Sequence, residues 1–104
     1  MCCFFFLQWS APECLRERKF STQSDVWSFG CICVEILTRD PDPFPSMNSV
    51  QAAMAVAQGN AKPQIPASCP PLLLPVLRSC FEVTPNNRPT TAKLIQQLQQ
   101  VQQL

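Results

Sequence analysis

The side chains in this sequence best suited to metal or redox chemistry are cysteines: Cys2, Cys3, Cys14, Cys31, Cys33, Cys69 and Cys80, in a chain with no histidine. A zinc site takes closely spaced ligand pairs such as Cys-x2-Cys. The only near pair in the body of the chain, Cys31 and Cys33, lies in a stretch that reads as helix. Two positions on a helix differ by about 200° of rotation, so these thiols face apart. An odd count with irregular spacing argues against a disulfide framework. The pattern fits reduced cysteines acting as small buried apolar groups, in a reducing compartment. No metal site is expected.

Composition bounds the remaining choices. A chain of 104 residues is one domain, burying about 60–70% of the surface that its unfolded form exposes. Hydrophobic residues make up 46%, which is ordinary, but only 14% are charged, against about 25% in an average soluble domain. Such a deficit suits a piece of something larger, part of whose surface is meant to be covered, and a surface rich in glutamine. A net charge of +1 with no basic run leaves no electrostatic footprint for nucleic acid or an anionic membrane.

The elements that must position any functional group are helices. Residues 1–6 form an unmatched apolar leader; the run Cys2 to Leu7 is too short to span a bilayer and lacks the charged start of a secretory signal. Its cysteine pair is a weak acylation signal, and the missing glycine after Met1 excludes the myristoylation motif. Pro12 opens a short helical turn through Arg18. Ser21 or Thr22 caps the next helix, through Leu37, whose apolar residues fall on nearly every face, as in a helix surrounded by protein. The apolar half, Cys31 to Leu37, could also be written as a buried strand; cap and length favour helix. Arg39 to Pro45, with three prolines, is a loop. Asn48 or Ser49 caps a helix through about Gln58, with Val50, Ala53, Met54 and Ala57 on its apolar face and Gly59 to end it. Leu72, Leu73, Val76, Leu77 and Cys80 form another helical face. Thr84 to Pro89 breaks the pattern, and Thr90 or Thr91 caps a last helix with Leu94, Ile95, Leu98 and Val101 inward and glutamines outward. The expectation is a mainly α fold of about five helices with no convincing strand.

Linked motifs add to this pattern. Trp9-Ser10-Ala11-Pro12-Glu13, then Phe20 to Gly30 (Phe-Ser-Thr-Gln-Ser-Asp-Val-Trp-Ser-Phe-Gly), Glu35-Ile36-Leu37-Thr38, Cys69-Pro70, Cys80-Phe81 and Pro85-Asn86-Asn87-Arg88-Pro89-Thr90 follow in order. Together they resemble the protein kinase domain of the tyrosine and tyrosine-kinase-like groups, from the Ala-Pro-Glu motif to the last helix. The resemblance covers residues 7–104 as a partial domain: the C-terminal half of the large lobe, without the ATP-binding lobe.

That resemblance implies roles. Ala11, Pro12 and Glu13 form the Ala-Pro-Glu motif, with Glu13 in a buried ion pair to Arg88; taken alone, either would read as a solvated surface charge. Asp25 would reach from the start of the buried helix to backbone N–H groups of a catalytic loop, where the plain reading is a first-turn acid favoured by the helix dipole. Trp27 and Gly30 belong to the same structural set. Trp9 and Ser10 would line the peptide groove, and the helix near Asn48 to Gln58 would be a docking surface for a protein substrate or kinase partner. Arg39-Asp40-Pro41-Asp42 departs from the family, which usually carries glycine there.

The family's catalytic parts are a glycine-rich phosphate loop, a strand lysine, a His-Arg-Asp loop and an Asp-Phe-Gly metal ligand. All lie upstream of Ala-Pro-Glu, and none is present in these residues. No catalytic, cofactor-binding or metal residue is therefore expected in this chain, whereas an intact parent kinase would use ATP and Mg to phosphorylate protein tyrosine or serine/threonine. The expected setting is cytoplasmic, or the cytoplasmic part of a membrane receptor, with no transmembrane segment and no nucleic acid. The alternatives are a non-catalytic, pseudokinase-like helical interaction module and a gene fragment without function.

Overall fold

The structure is a computed structural model and describes residues 9–40, 44 and 46–102. The apolar leader and most of the proline loop lie outside the described residues. Among those described there are five α-helices and no strand: α1 (Pro12–Glu17), α2 (Thr22–Thr38), α3 (Ser49–Ala57), α4 (Leu74–Cys80) and α5 (Thr91–Gln102), with a 3-10 turn at Pro85–Asn87 before α5. No helix among them is long and apolar enough to cross a membrane.

Four of the helices begin where local chemistry satisfies or removes a free N–H group; α4 starts without a side-chain cap. Pro12 needs no donor partner at the first position of α1. Ser21 caps α2: its Oγ accepts from Ser24 N at 3.3 Å, and Ser24 Oγ accepts from Ser21 N at 2.8 Å. Asn48 and Gln51 make the same reciprocal box on α3, at 2.8 and 3.1 Å. Thr90 Oγ1 accepts from Lys93 N at 3.2 Å at the start of α5.

The ends are as specific. Gly59 takes φ +77 after α3, and its N–H reaches Val56 O at 2.9 Å. Arg18 and Arg39 hold φ 53 and φ 57 at the ends of α1 and α2. Left-handed backbone costs a non-glycine residue about 1–2 kcal/mol. At Arg39 the bond from its N–H to Glu35 O, 2.7 Å long, offsets part of that. An arginine, not a glycine, thus ends the helix in left-handed backbone.

The core forms around α2. On one side Trp27, Cys31 and Val34 pack with Ala11, Cys14, Phe44, Ala52, Val56 and Phe81. On the other, Val26 meets Val76, Cys80 and Leu94, backed by Phe29, Leu73, Leu98 and Val101. Gly30 lies where α2 meets α4. A Cβ added there would stand 2.8 Å from the Phe81 ring and 3.0 Å from Cys80 Cβ. Only glycine lets the two helices approach this closely.

Three expected faces are corrected. On α3, Ala52 and Val56 are fully buried, while Val50 and Met54 are 63% and 57% exposed. Seven of the nine α3 residues are apolar, so periodicity offers no unique face; the neighbouring α1 decides it through the small Ala52. On α5, Leu94 is buried and Leu98 and Val101 half-buried, but Ile95 points outward. At α4 the helix starts at Leu74, so Leu72 falls in the preceding turn and is exposed.

Candidate functional site: a buried ion pair and an uncovered helix face

Arg88 leaves the 3-10 turn in extended backbone, which sends its side chain under α2. There its five N–H donors, the full complement of a guanidinium, meet five acceptors. Nη1 and Nη2 grip Glu13 Oε2 and Oε1 at 2.7 and 2.9 Å. Nη1 also reaches Gln23 O at 3.0 Å, Nη2 reaches Val83 O at 3.4 Å, and Nε reaches Glu82 O at 2.8 Å. Both residues are buried, and the pair closes a sequence gap of 75 residues. The planar fork matches the carboxylate bidentately, which lysine could not do.

The guanidinium also lies on an aromatic face, its carbon 5.2 Å from the Trp27 ring centre. Trp27 meets Phe81 edge-on at 5.2 Å and 76°. Glu13, Arg88, Trp27 and Phe81 are thus one connected unit joining α1, α2, α4 and the turn before α5. The sequence motifs point to the ion pair; the three backbone carbonyls and the aromatic stack are visible only in three dimensions.

Ala11 and Pro12 are buried beside Glu13. Ser10 is buried and Trp9 half-buried, with the Trp9 carbonyl accepting from Ser28 Oγ at 3.1 Å. Asp25 stands exposed in the first turn of α2, and among the described residues its carboxylate takes no hydrogen bond. It lies at one end of a groove of about 310 Å³ between α2 and α5, lined by Thr22, Phe29, Leu94, Ile95 and Leu98.

Asp25, Phe29, Ile32 and Ile36 follow the i, i+4, i+7, i+11 rhythm of a single helical face. Ile32 is 44% and Ile36 69% exposed. The expectation of a helix surrounded by protein is therefore met on the sides facing α4, α5 and the α1 segment, and not on this one. Two exposed isoleucines one turn apart thus stand on a helix otherwise at the centre of the fold.

The described cysteines are all free, and no group of three or more His, Cys, Asp or Glu among the described residues could hold a metal ion. Burial raises the Cys31 thiol far above its ordinary range and pushes Cys80 up from 9.0 to about 12. For Cys31 the indole N–H of Trp27, which has no oxygen acceptor, works weakly in the opposite direction. Thiols with raised folded values stay protonated while those of the unfolded chain ionise. Stability is accordingly expected to be complete below the ordinary thiol value of 9.0 and to fall as pH climbs from there towards about 12. A urea titration at stepped pH checks the sign. In the same series an alkylating reagent at about pH 8 should label half-buried Cys33 ahead of Cys31 and Cys80, as mapped by mass spectrometry.

A sequence model described as protein tyrosine and serine/threonine kinase matches residues 3–98, reaching back into the apolar leader. The chain belongs to that kinase family. It is 40% identical over 88 residues to the serine/threonine/tyrosine-protein kinase HT1 of Arabidopsis thaliana, covering 85% of this chain and 22% of the relative. It is 39% identical over 84 residues to the human tyrosine-protein kinase FRK, covering 81% and 16%. With the megakaryocyte-associated tyrosine-protein kinase of Rattus norvegicus it shares 36% over 92 residues, covering 88% and 20%. The aligned part is thus about a fifth of each kinase, and the helical fold is that of the C-terminal part of the kinase large lobe. Among the described residues no group fits the Mg that an intact kinase of the family uses with ATP. Gly30 is packed inside α2 and Gly59 ends α3, so neither glycine belongs to a phosphate loop.

Proposed function

We propose that this chain is the helical support of a protein kinase catalytic domain, while the groups that bind ATP and Mg and transfer phosphate to protein tyrosine, serine or threonine are carried by upstream sequence. The observation that carries this reading is the uncovered part of the α2 face, where Ile32 and Ile36 are exposed and the exposed Asp25 begins the same face. Among the described residues nothing covers these two isoleucines. In this reading the upstream half covers the stripe, and Asp25 receives backbone N–H groups from it. By itself the chain neither binds nucleotide nor phosphorylates.

The test has two arms. Calorimetric titration of the purified chain with Mg-ATP is expected to show no binding; measurable affinity would overturn the proposal. The chain alone should bind a hydrophobic dye and unfold at low temperature over a broad but still measurable transition. Co-expression with the upstream half of a kinase of this family should suppress dye binding and sharpen the melt. A sharp, dye-free melt of the isolated chain would show that the stripe needs no cover.

A second reading rests on α3. Exposed Val50 and Met54, one turn apart, with half-buried Trp9 packed against the same core cluster as α3, suit contact with a protein partner or peptide substrate. In that reading the chain is a non-catalytic interaction module. The free thiols suit a reducing setting for either role.

A further inference from the structure

The α1–α2 connection has a feature that support of a catalytic half does not use. Arg18, Lys19 and Phe20 run without helix from α1 to the cap residue Ser21, and all four are exposed, Phe20 at 55%. Arginines stand three and five residues ahead of Ser21, at Arg18 and Arg16, with Glu17 between them holding the Lys19 ammonium at 3.2 Å, so that Arg18 is the cation left to a partner. The Ser21 hydroxyl oxygen accepts one long bond, 3.3 Å from Ser24 N, and among the described residues its own hydrogen is committed to no acceptor. An exposed, irregular segment with a usable hydroxyl and a local cluster of guanidinium groups is what a serine kinase with an acidic substrate cleft recognises.

We propose that Ser21 is a phosphorylation site for such a basophilic serine kinase acting on this chain. The Ser21 Oγ attacks the γ-phosphorus of the modifying enzyme's ATP; the new O–P bond forms as the bond to the bridging β–γ oxygen breaks. ADP leaves, and the hydroxyl proton passes to that enzyme's base. Arg18 is the principal recognition residue. Arg16 contributes less, because its Nη1 is held on Ala57 O at 3.1 Å, at the end of α3, and must be released from that contact. The product carries nearly two negative charges beside Arg18 and Lys19. Arg18 closes on the phosphate, joined by Lys19 once its ammonium leaves Glu17, and fixes the connection between α1 and α2, while Ser21 still caps the helix, since a phosphate at a helix start is favoured by the dipole.

The experiment treats the full 104-residue chain with ATP, Mg and the catalytic subunit of a serine kinase that selects arginine three residues before its acceptor, and maps the phosphate by mass spectrometry. One phosphate is expected, on Ser21. Ser21→Asn keeps a good helix cap and should abolish it. Arg18→Gly suits the left-handed backbone at that position, so the fold is kept, yet the labelling rate should fall about tenfold with the loss of one charge-assisted contact. Arg16→Gln should slow it less. No incorporation, phosphate on Thr22, Ser24 or Ser28 in place of Ser21, or a rate indifferent to Arg18→Gly would each overturn the proposal.

Discussion

Arg88→Ala is expected to unfold this chain, or to leave it without a measurable cooperative transition in urea. The substitution removes five hydrogen bonds and strands the buried Glu13 carboxylate, together with the carbonyls of Gln23, Glu82 and Val83. Breaking one partner out of a buried pair costs about 3–5 kcal/mol. A small domain has roughly 5–15 kcal/mol in total, and one with Ile32 and Ile36 in water sits at the low end of that range. Arg88→Lys should recover little: the ammonium keeps the charge but has three donors and no fork to match both Glu13 oxygens. The informative control is the double change Glu13→Leu with Arg88→Met. Taking out both charges leaves no unpaired charge, although the carbonyls of Gln23, Glu82 and Val83 still lose their donor, so the double variant should be more stable than either single one. Circular dichroism during urea titration reads each of these variants. A single Arg88→Ala variant that unfolds at the parent concentration of urea would show that the pair is not the lock described above.

Trp27→Ala should cost about as much by another route, roughly 3–5 kcal/mol from lost burial and the cavity left behind. Trp27 is fully buried at the centre of the first core cluster, with Phe81 against its edge and the Arg88 guanidinium over its face. Trp27→Phe keeps part of that surface and removes a buried N–H that finds no oxygen acceptor, so it should lose markedly less. Trp27 and Arg88 touch, and their effects should therefore fall short of additive. A double-mutant cycle in denaturant measures the coupling, and additivity within error would mean that the 5.2 Å contact carries no energy.

The helices were legible because their boundaries are chemical. Pro12, Ser21, Asn48, Thr90 and Gly59 act through their own backbone or through a residue three positions away, and such contacts are written in consecutive letters. The Glu13–Arg88 pair was legible for a different reason: it came with the family's motif blocks, since nothing local at either residue distinguishes a buried charge from a solvated one. What could not be read was the choice between apolar faces. α3 carries Val50, Ala52, Ala53, Met54, Ala55, Val56 and Ala57, enough to bury any side. The side that is buried, Ala52 and Val56, is the one where small residues let a neighbour approach. Ile95 is apolar at a fitting interval from Leu94 and Leu98, yet it faces the open end of the α2–α5 groove.

The uncovered stripe on α2 shows the division most directly. By itself the sequence determined that residues 22–38 form a helix too apolar for a surface, that its start is capped at Ser21, and that the chain holds no phosphate loop or histidine. Hydrophobic content is a property of composition, and a cap is a contact between near neighbours, so both survive without knowledge of the fold. Only the tertiary structure decided which side of α2 is packed by α4, α5 and the α1 segment and which is left to water with Asp25, Ile32 and Ile36 upon it. Burial depends on what arrives from distant parts of the chain, and no periodicity along a helix records which of its neighbours is present.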